Sequence, residues 1–224
     1  MNSHIFGVLD DKNVTPTLLQ GLQRLESKYG AFDLVGVATL MEGQIQQQQT
    51  QGQLQDLQSL LQKQPIYGRF GLAYTRWTNH NEPEIHHVRF YATERVALVC
   101  NGVIDNNKDI QEELIKLGYE FNHKNDEEII LRLLNRYYLD IGMPAEEATL
   151  VTMARLQGYF STIALFAKEN LLVAARRSCP LAIGVNENIL YVGSNVKALG
   201  MLSHQVMQLE EGNPAVLRSV KKLG

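Results

Sequence analysis

Apolar runs of four to seven residues, closed by polar or turn residues, read as buried strands. Residues 5–9 and 34–40 are two such runs. Two more lie in the stretch 67–107, around which the chain is organised. One runs through Gly71-Leu72-Ala73 into Tyr74-Thr75-Arg76-Trp77-Thr78-Asn79-His80; the other, Val96-Ala97-Leu98-Val99-Cys100, ends on Asn101-Gly102. Between the first strands, Thr15-Pro16 has the cap-then-proline order that opens a helix, and Leu18, Leu19, Leu22 and Leu25 follow at helical spacing. Glu42-Gly43 signals a turn. Residues 44–64 are rich in glutamine and read as a solvated loop running into a helix with an apolar stripe of Leu54, Leu57, Leu60 and Leu61.

Beyond residue 107 the period is helical. Asn107 is expected to cap a helix carrying Ile110, Leu114 and Leu117 and closed by Gly118. Asn125-Asp126 opens a stronger helix, in which Ile129, Ile130, Leu133, Leu134, Tyr137 and Tyr138 repeat at three and four. A third helix is expected over 145–156. The period then changes to strands at 160–167, 171–175, 181–185, 189–192, 206–209 and 215–218. The turns at 168–170, 186–188 and 210–212 each suggest a hairpin. Strands first, helices in the middle and a strand-rich end predict an α+β fold, with helices packed on two antiparallel sheets. A length of 224 residues without an internal repeat or linker predicts one domain over 1–224.

Composition narrows the function classes. A hydrophobic content of 45% and a charged content of 20% are ordinary for a globular protein. With a net charge of −3 and no basic stripe, a nucleic-acid partner is not expected. No apolar run approaches the roughly 20 residues that span a bilayer, so no membrane partner is expected. The amino terminus lacks the pattern of a signal peptide. The two cysteines are too few for a disulfide framework, and a reducing cytoplasm is the expected compartment.

The central stretch carries the candidate chemistry. Arginine, tryptophan and histidine past a strand end make a poor turn and a good anion pocket. Asn101-Gly102 offers a side-chain amide and an unhindered backbone N–H, which suits an oxyanion. Each feature also has a plainer role. Arg76 reads equally as a surface arginine, Asp126 as a first-turn helix carboxylate, Asn101-Gly102 as a hairpin turn and His80 as a loop residue.

Taken together these residues resemble the glutaminase domain of the class-II glutamine amidotransferases, above all the amino-terminal half of glucosamine-6-phosphate synthase. The resemblance covers essentially the whole chain. Its most specific pieces are Thr75-Arg76-Trp77 with His80 and Glu82-Pro83, and Asn101-Gly102-Val103-Ile104-Asp105-Asn106. Asn125-Asp126-Glu127-Glu128 and Leu209-Glu210-Glu211-Gly212 support it. The resemblance implies the four-layer αββα sandwich of the amino-terminal-nucleophile (Ntn) hydrolases, with no cofactor and no metal. It implies that Arg76 pairs with the α-carboxylate of glutamine and Asp126 with its α-amino group. Asn101 and Gly102 would form the oxyanion hole, and Trp77 and His80 would sit on a loop closing over the substrate.

The chain departs from the family where the chemistry begins. Family members attack the glutamine amide with a cysteine at the mature amino terminus, whose free α-amine is the base. Such an amine has a pKa of roughly 7.7–8.0, so a useful fraction is neutral near pH 7. Here Ile5-Phe6-Gly7 matches the residues after the nucleophile, which places Ser3 at the cysteine position behind Met1-Asn2, with His4 where the family has glycine. A hydroxyl replaces the thiol, and a peptide nitrogen replaces the base. Cys100 stands where a histidine is usual and reads as a small buried side chain. No sugar-phosphate isomerase domain is expected within these residues. Two functions follow as expectations. The first is a degenerate glutaminase that keeps a pocket for glutamine or a related amino acid, or binds a partner protein. The second is an active enzyme using Ser3 after removal of Met1-Asn2 and supplying ammonia to a separate acceptor chain.

Overall fold

The computed structural model describes residues 2–77, 91–122 and 125–219. Among them, two antiparallel sheets lie face to face between two helical layers. The chain enters through β1 (Asn2–Leu9), α1 (Thr15–Tyr29), β2 (Leu34–Met41), β3 (Gln44–Gln51), α2 (Leu54–Lys63) and β4 (Phe70–Trp77). It continues through β5 (Tyr91–Ala92), β6 (Val96–Ile104), α3 (Asn107–Lys116), α4 (Asp126–Asn135) and α5 (Ala145–Arg155). The remainder is β7 (Gly158–Phe166), β8 (Leu171–Arg177), β9 (Ala182–Asn186), β10 (Ile189–Gly193), α6 (Val196–Gly200), β11 (Gln205–Gln208) and β12 (Ala215–Arg218). One sheet has the order β11-β9-β10-β1-β4-β2-β3, the other β12-β8-β7-β6-β5. This is the αββα order of the expected fold.

Strand alternation builds three apolar layers. On β1, Ile5 and Leu9 point between the sheets, where they meet Leu72, Val99, Ile163 and Leu172. Phe6 and Val8 point outward to Leu18 and Leu22 of α1, with Leu54 and Leu57 of α2 in the same layer. On the far side, Val96 and Leu98 of β6 pack under Leu114, Ile130 and Leu133 from α3 and α4. Strands buried on both faces read as continuous apolar runs, which is why β1, β2 and β4 are visible in the sequence. Each fully buried Leu or Phe contributes roughly 1.5–3 kcal/mol from the area it removes from water.

Four local expectations are corrected. Residues 44–51 form strand β3, not a loop: Leu34 pairs with Gln51 and Met41 with Gln44 across a hairpin whose turn, Glu42-Gly43, has φ of 51° and 76°. Two left-handed residues match the twist of a two-residue hairpin, so β2 dictates a partner strand despite the weak strand propensity of glutamine. The turn at 210–212 is not a hairpin, because β11 pairs with β9 in one sheet and β12 with β8 in the other. Thr15 is the first residue of α1 and not its cap, and its Oγ1 donates to the Ile66 carbonyl at 2.7 Å. Asn107 likewise begins α3, because Asn106 precedes the helix. Asn125 does cap α4, its Oδ1 accepting from the Glu128 amide at 3.1 Å. That helix ends at Asn135 and continues into a wider π-helical turn over Arg136–Asp140.

Candidate functional site

The site forms at one end of the apolar layer between the sheets, where hydrophobic residues give way to polar ones. On β1 the side chain after Ile5 in the same alternation, moving toward the amino terminus, is Ser3. Its cross-strand neighbour on β4 is Arg76, which in turn sits opposite Leu34 of β2. All three face the second sheet. There Asn101 continues the Ala97, Val99 face of β6, and the Ser3 hydroxyl donates to Asn101 Oδ1 at 2.6 Å. The two sheets are therefore joined by a hydrogen bond between two of the residues singled out from the sequence. A cavity of about 650 Å³ opens beside it, lined among others by Ser3, His4, Trp77, Asn101, Gly102 and Cys179. That volume is in the range of small-molecule sites.

Gly102 is required by the backbone. Its φ is +122°, and a Cβ there would lie 2.0 Å from the Tyr159 carbonyl oxygen and 2.6 Å from Phe160 Cα. This packing against β7 explains the glycine without reference to chemistry.

Trp77 belongs to β4 and not to a closing loop, because Asn2 extends the ladder opposite it. Its ring lies on the outer face of the sheet. Ring centroids are 4.9 Å from Phe32 and 5.4 Å from His4, both edge to face, and Tyr29 joins the cluster. Burial, with a smaller contribution from the Lys28 charge, holds the His4 imidazole below its usual pKa of 6.5, so this ring is neutral at pH 7. His80 lies outside the described residues, as does the Glu82-Pro83 piece.

Arg76 and Asp126 are engaged by the protein itself. Asp126 Oδ2 accepts from the Ile104 amide at 2.7 Å and Oδ1 from Asn107 Nδ2 at 2.9 Å, so this carboxylate ties α4 to the turn after β6. The Arg76 guanidinium lies 3.9 Å from the carboxylate of Glu127. Neither residue is among those lining the cavity beside Ser3.

The cysteines divide. Cys100 packs against the helix-side core, and burial first, then the Glu127 and Asp126 carboxylates, push its thiol well up, which leaves it inert. Cys179 escapes sequence reasoning, yet it lines the cavity. Asn101 Nδ2 donates to its sulfur at 3.4 Å and Ser161 Oγ at 3.5 Å. It sits on the turn after β8, which Glu211 braces by accepting from the Ser178 amide at 3.0 Å. The sequence signal for that turn is the Leu209-Glu210-Glu211-Gly212 piece, since Arg176 Nε also donates to the Leu209 carbonyl at 2.7 Å.

A sandwich of this order, with a small polar site where the first strand meets the opposite sheet, defines an Ntn-hydrolase class of protein. The chain belongs to the class-II glutamine amidotransferase family: the pattern of the glutamine amidotransferase domain matches residues 81–201. Glutamine–fructose-6-phosphate aminotransferase (isomerizing) of Bartonella quintana is 37% identical over 214 residues, which is 95% of this chain and 35% of that protein. The same-named protein of Bradyrhizobium diazoefficiens is 38% identical over the same shares. The chain thus spans about a third of the length of these curated relatives. Among solved structures, glutamine phosphoribosylpyrophosphate amidotransferase from B. subtilis, complexed with ADP and GMP, superposes with a TM-score of 0.77 at 16% identity. The overlap covers 98% of this chain and 50% of that one. A glutamine aminotransferase class-II domain protein from Silicibacter pomeroyi gives a TM-score of 0.62 at 12% identity, covering 97% and 99%. The structural likenesses, at these identities, speak to the fold.

Proposed function

We propose that this domain is a degenerate glutaminase, which binds glutamine or a related amino acid without hydrolysing it and serves as a ligand- or partner-binding module. The observation that carries this reading is the chemical state of Ser3. Its hydroxyl proton points at an amide oxygen, Asn101 Oδ1, which is no base. Asn2 precedes it in β1, so the Ser3 nitrogen is a peptide amide whose lone pair is delocalised into the carbonyl and does not accept a proton. A serine nucleophile needs an adjacent base, and neither group supplies one.

In this reading Arg76 receives the ligand carboxylate, as a planar guanidinium does well. Asp126 receives the amino group, each of its oxygens keeping spare acceptor capacity beyond the bonds it already makes. Asn101 and Gly102 face the side-chain amide. Trp77, which lines the cavity, borders the ligand. A cytoplasmic setting suits the two free cysteines. Among the described residues no helix is long and apolar enough to cross a membrane. The competing reading, hydrolysis by Ser3 after loss of Met1-Asn2, is favoured by the position of its Oγ beside Asn101.

Thermal unfolding with added ligand tests the pocket. Glutamine at a hundred times its Kd is expected to stabilise the fold by about 2.7 kcal/mol. For a domain of this size that raises Tm by roughly 5–10 °C. No shift with either glutamine or glutamate at millimolar concentration would remove the amino-acid pocket and leave the partner-binding role alone.

A further inference from the structure

The carboxylate that faces Arg76 belongs to the protein. Glu127 is the second residue of α4, and its Oε1 lies 3.9 Å from Arg76 Nη1, the two side chains being 21% and 20% exposed. That separation is well beyond the roughly 2.7–2.9 Å of a locked guanidinium–carboxylate pair. The two charges are neighbours without being clasped. Desolvation is severe enough to push the Glu127 carboxyl above its usual value, with Asp126 beside it acting in the same direction, while its own backbone N–H and Arg76 oppose the shift. The phenols of Tyr74 and Tyr91 and the Cys100 thiol also feel the Glu127 charge, each being raised by it. A second carboxylate brought to Arg76 would meet this one at close range.

We propose that Glu127 is a built-in competitor for the carboxylate position of Arg76, one that sets the affinity and the ligand class of the pocket. This rests on the reading of Arg76 as the carboxylate receptor. An amino acid must displace the Glu127 carboxylate or tolerate a like charge beside its own. A ligand with the same amide and amine but no carboxylate meets no such opposition. Discrimination of this kind comes from a repulsive element placed against one ligand class. Glu127 therefore acts as a specificity-determining residue, holding the resting site closed to amino acids at low concentration.

Calorimetric titration tests this with two probes: L-glutamine, and 4-aminobutanamide, which is glutamine without its carboxylate. The proteins are wild type, Glu127→Gln and Glu127→Ala, each first shown to unfold cooperatively. The expected result is that both variants bind glutamine at least about tenfold more tightly than wild type, as removal of a like-charge contact gives. Their affinity for 4-aminobutanamide should not rise, because that ligand has no carboxylate to meet Glu127, and its ammonium beside Asp126 loses a neighbouring negative charge. If both variants bind glutamine as wild type does, the competitor role is overturned and the amino-acid pocket stands. If no protein of the three binds either probe, the pocket itself is refuted and the competitor role goes with it.

Discussion

Gly102→Ala is expected to destabilise the domain by about 3–5 kcal/mol, adding an overpacking cost to that of a forced left-handed residue. The added methyl would sit 2.0 Å from the Tyr159 carbonyl oxygen and 2.6 Å from Phe160 Cα. Both are backbone atoms, and neither can retreat by a side-chain rotation. The strands they belong to pair continuously from Val96 opposite Phe166 to Ile104 opposite Gly158, so relief requires breaking that ladder. At φ of +122° the alanine would also be strained in open space. Most domains have only 5–15 kcal/mol of stability to lose. Urea unfolding should therefore show a large fall in midpoint with an unchanged slope. A loss under about 1 kcal/mol would mean that β6 and β7 separate easily here, and Gly102 would then need a chemical explanation.

The second large effect concerns the missing base. Ser3→Cys in a chain trimmed to begin at residue 3 is expected to release ammonia from glutamine at least about 100-fold faster than Ser3→Cys in the untrimmed chain. A free α-amine has a pKa of roughly 7.7–8.0 and can take a thiol proton near neutral pH. Properly placed general bases contribute roughly 10²–10⁴-fold. In the untrimmed chain the same nitrogen is tied into the peptide to Asn2, which pairs with Trp77. Equal rates, both well above background, would show that another group supplies the base. Cys179 and Tyr159, which both line the cavity, would be the first to examine.

The fold was legible wherever a strand is buried on both faces or a helix carries one clean stripe. Residues 34–40 read as a strand because Leu34 and Ala38 fill the layer between the sheets while Val35 and Val37 fill the layer under α1. Strand β3 was not legible, because an edge strand owes its existence to its partner and its glutamines carry no apolar alternation. The two-residue β5 and the five-residue α6 are too short to show a period. The site divides in the same way. Ser3, Asn101 and Gly102 come together at one cavity because strand register carries them there. Glu127 carries no separate signal in the sequence, because three consecutive carboxylates, Asp126 to Glu128, in a first helical turn suit the helix dipole. Only the contact itself, Glu127 Oε1 3.9 Å from Arg76 Nη1, shows which of the three faces Arg76. Cys179 was hidden for a related reason: it lies on a turn, and its place beside Asn101 depends on the whole of the second sheet.

The most direct test of the account is ammonia release from glutamine by protein whose intact mass shows Met1 and Asn2 still attached. No release above background is expected, because the nitrogen of Ser3 is an amide and, among the described residues, its hydroxyl donates to an amide oxygen, which is no base. Release that disappears in Ser3→Ala would contradict it, and would show that this chain hydrolyses glutamine with a serine embedded in a strand.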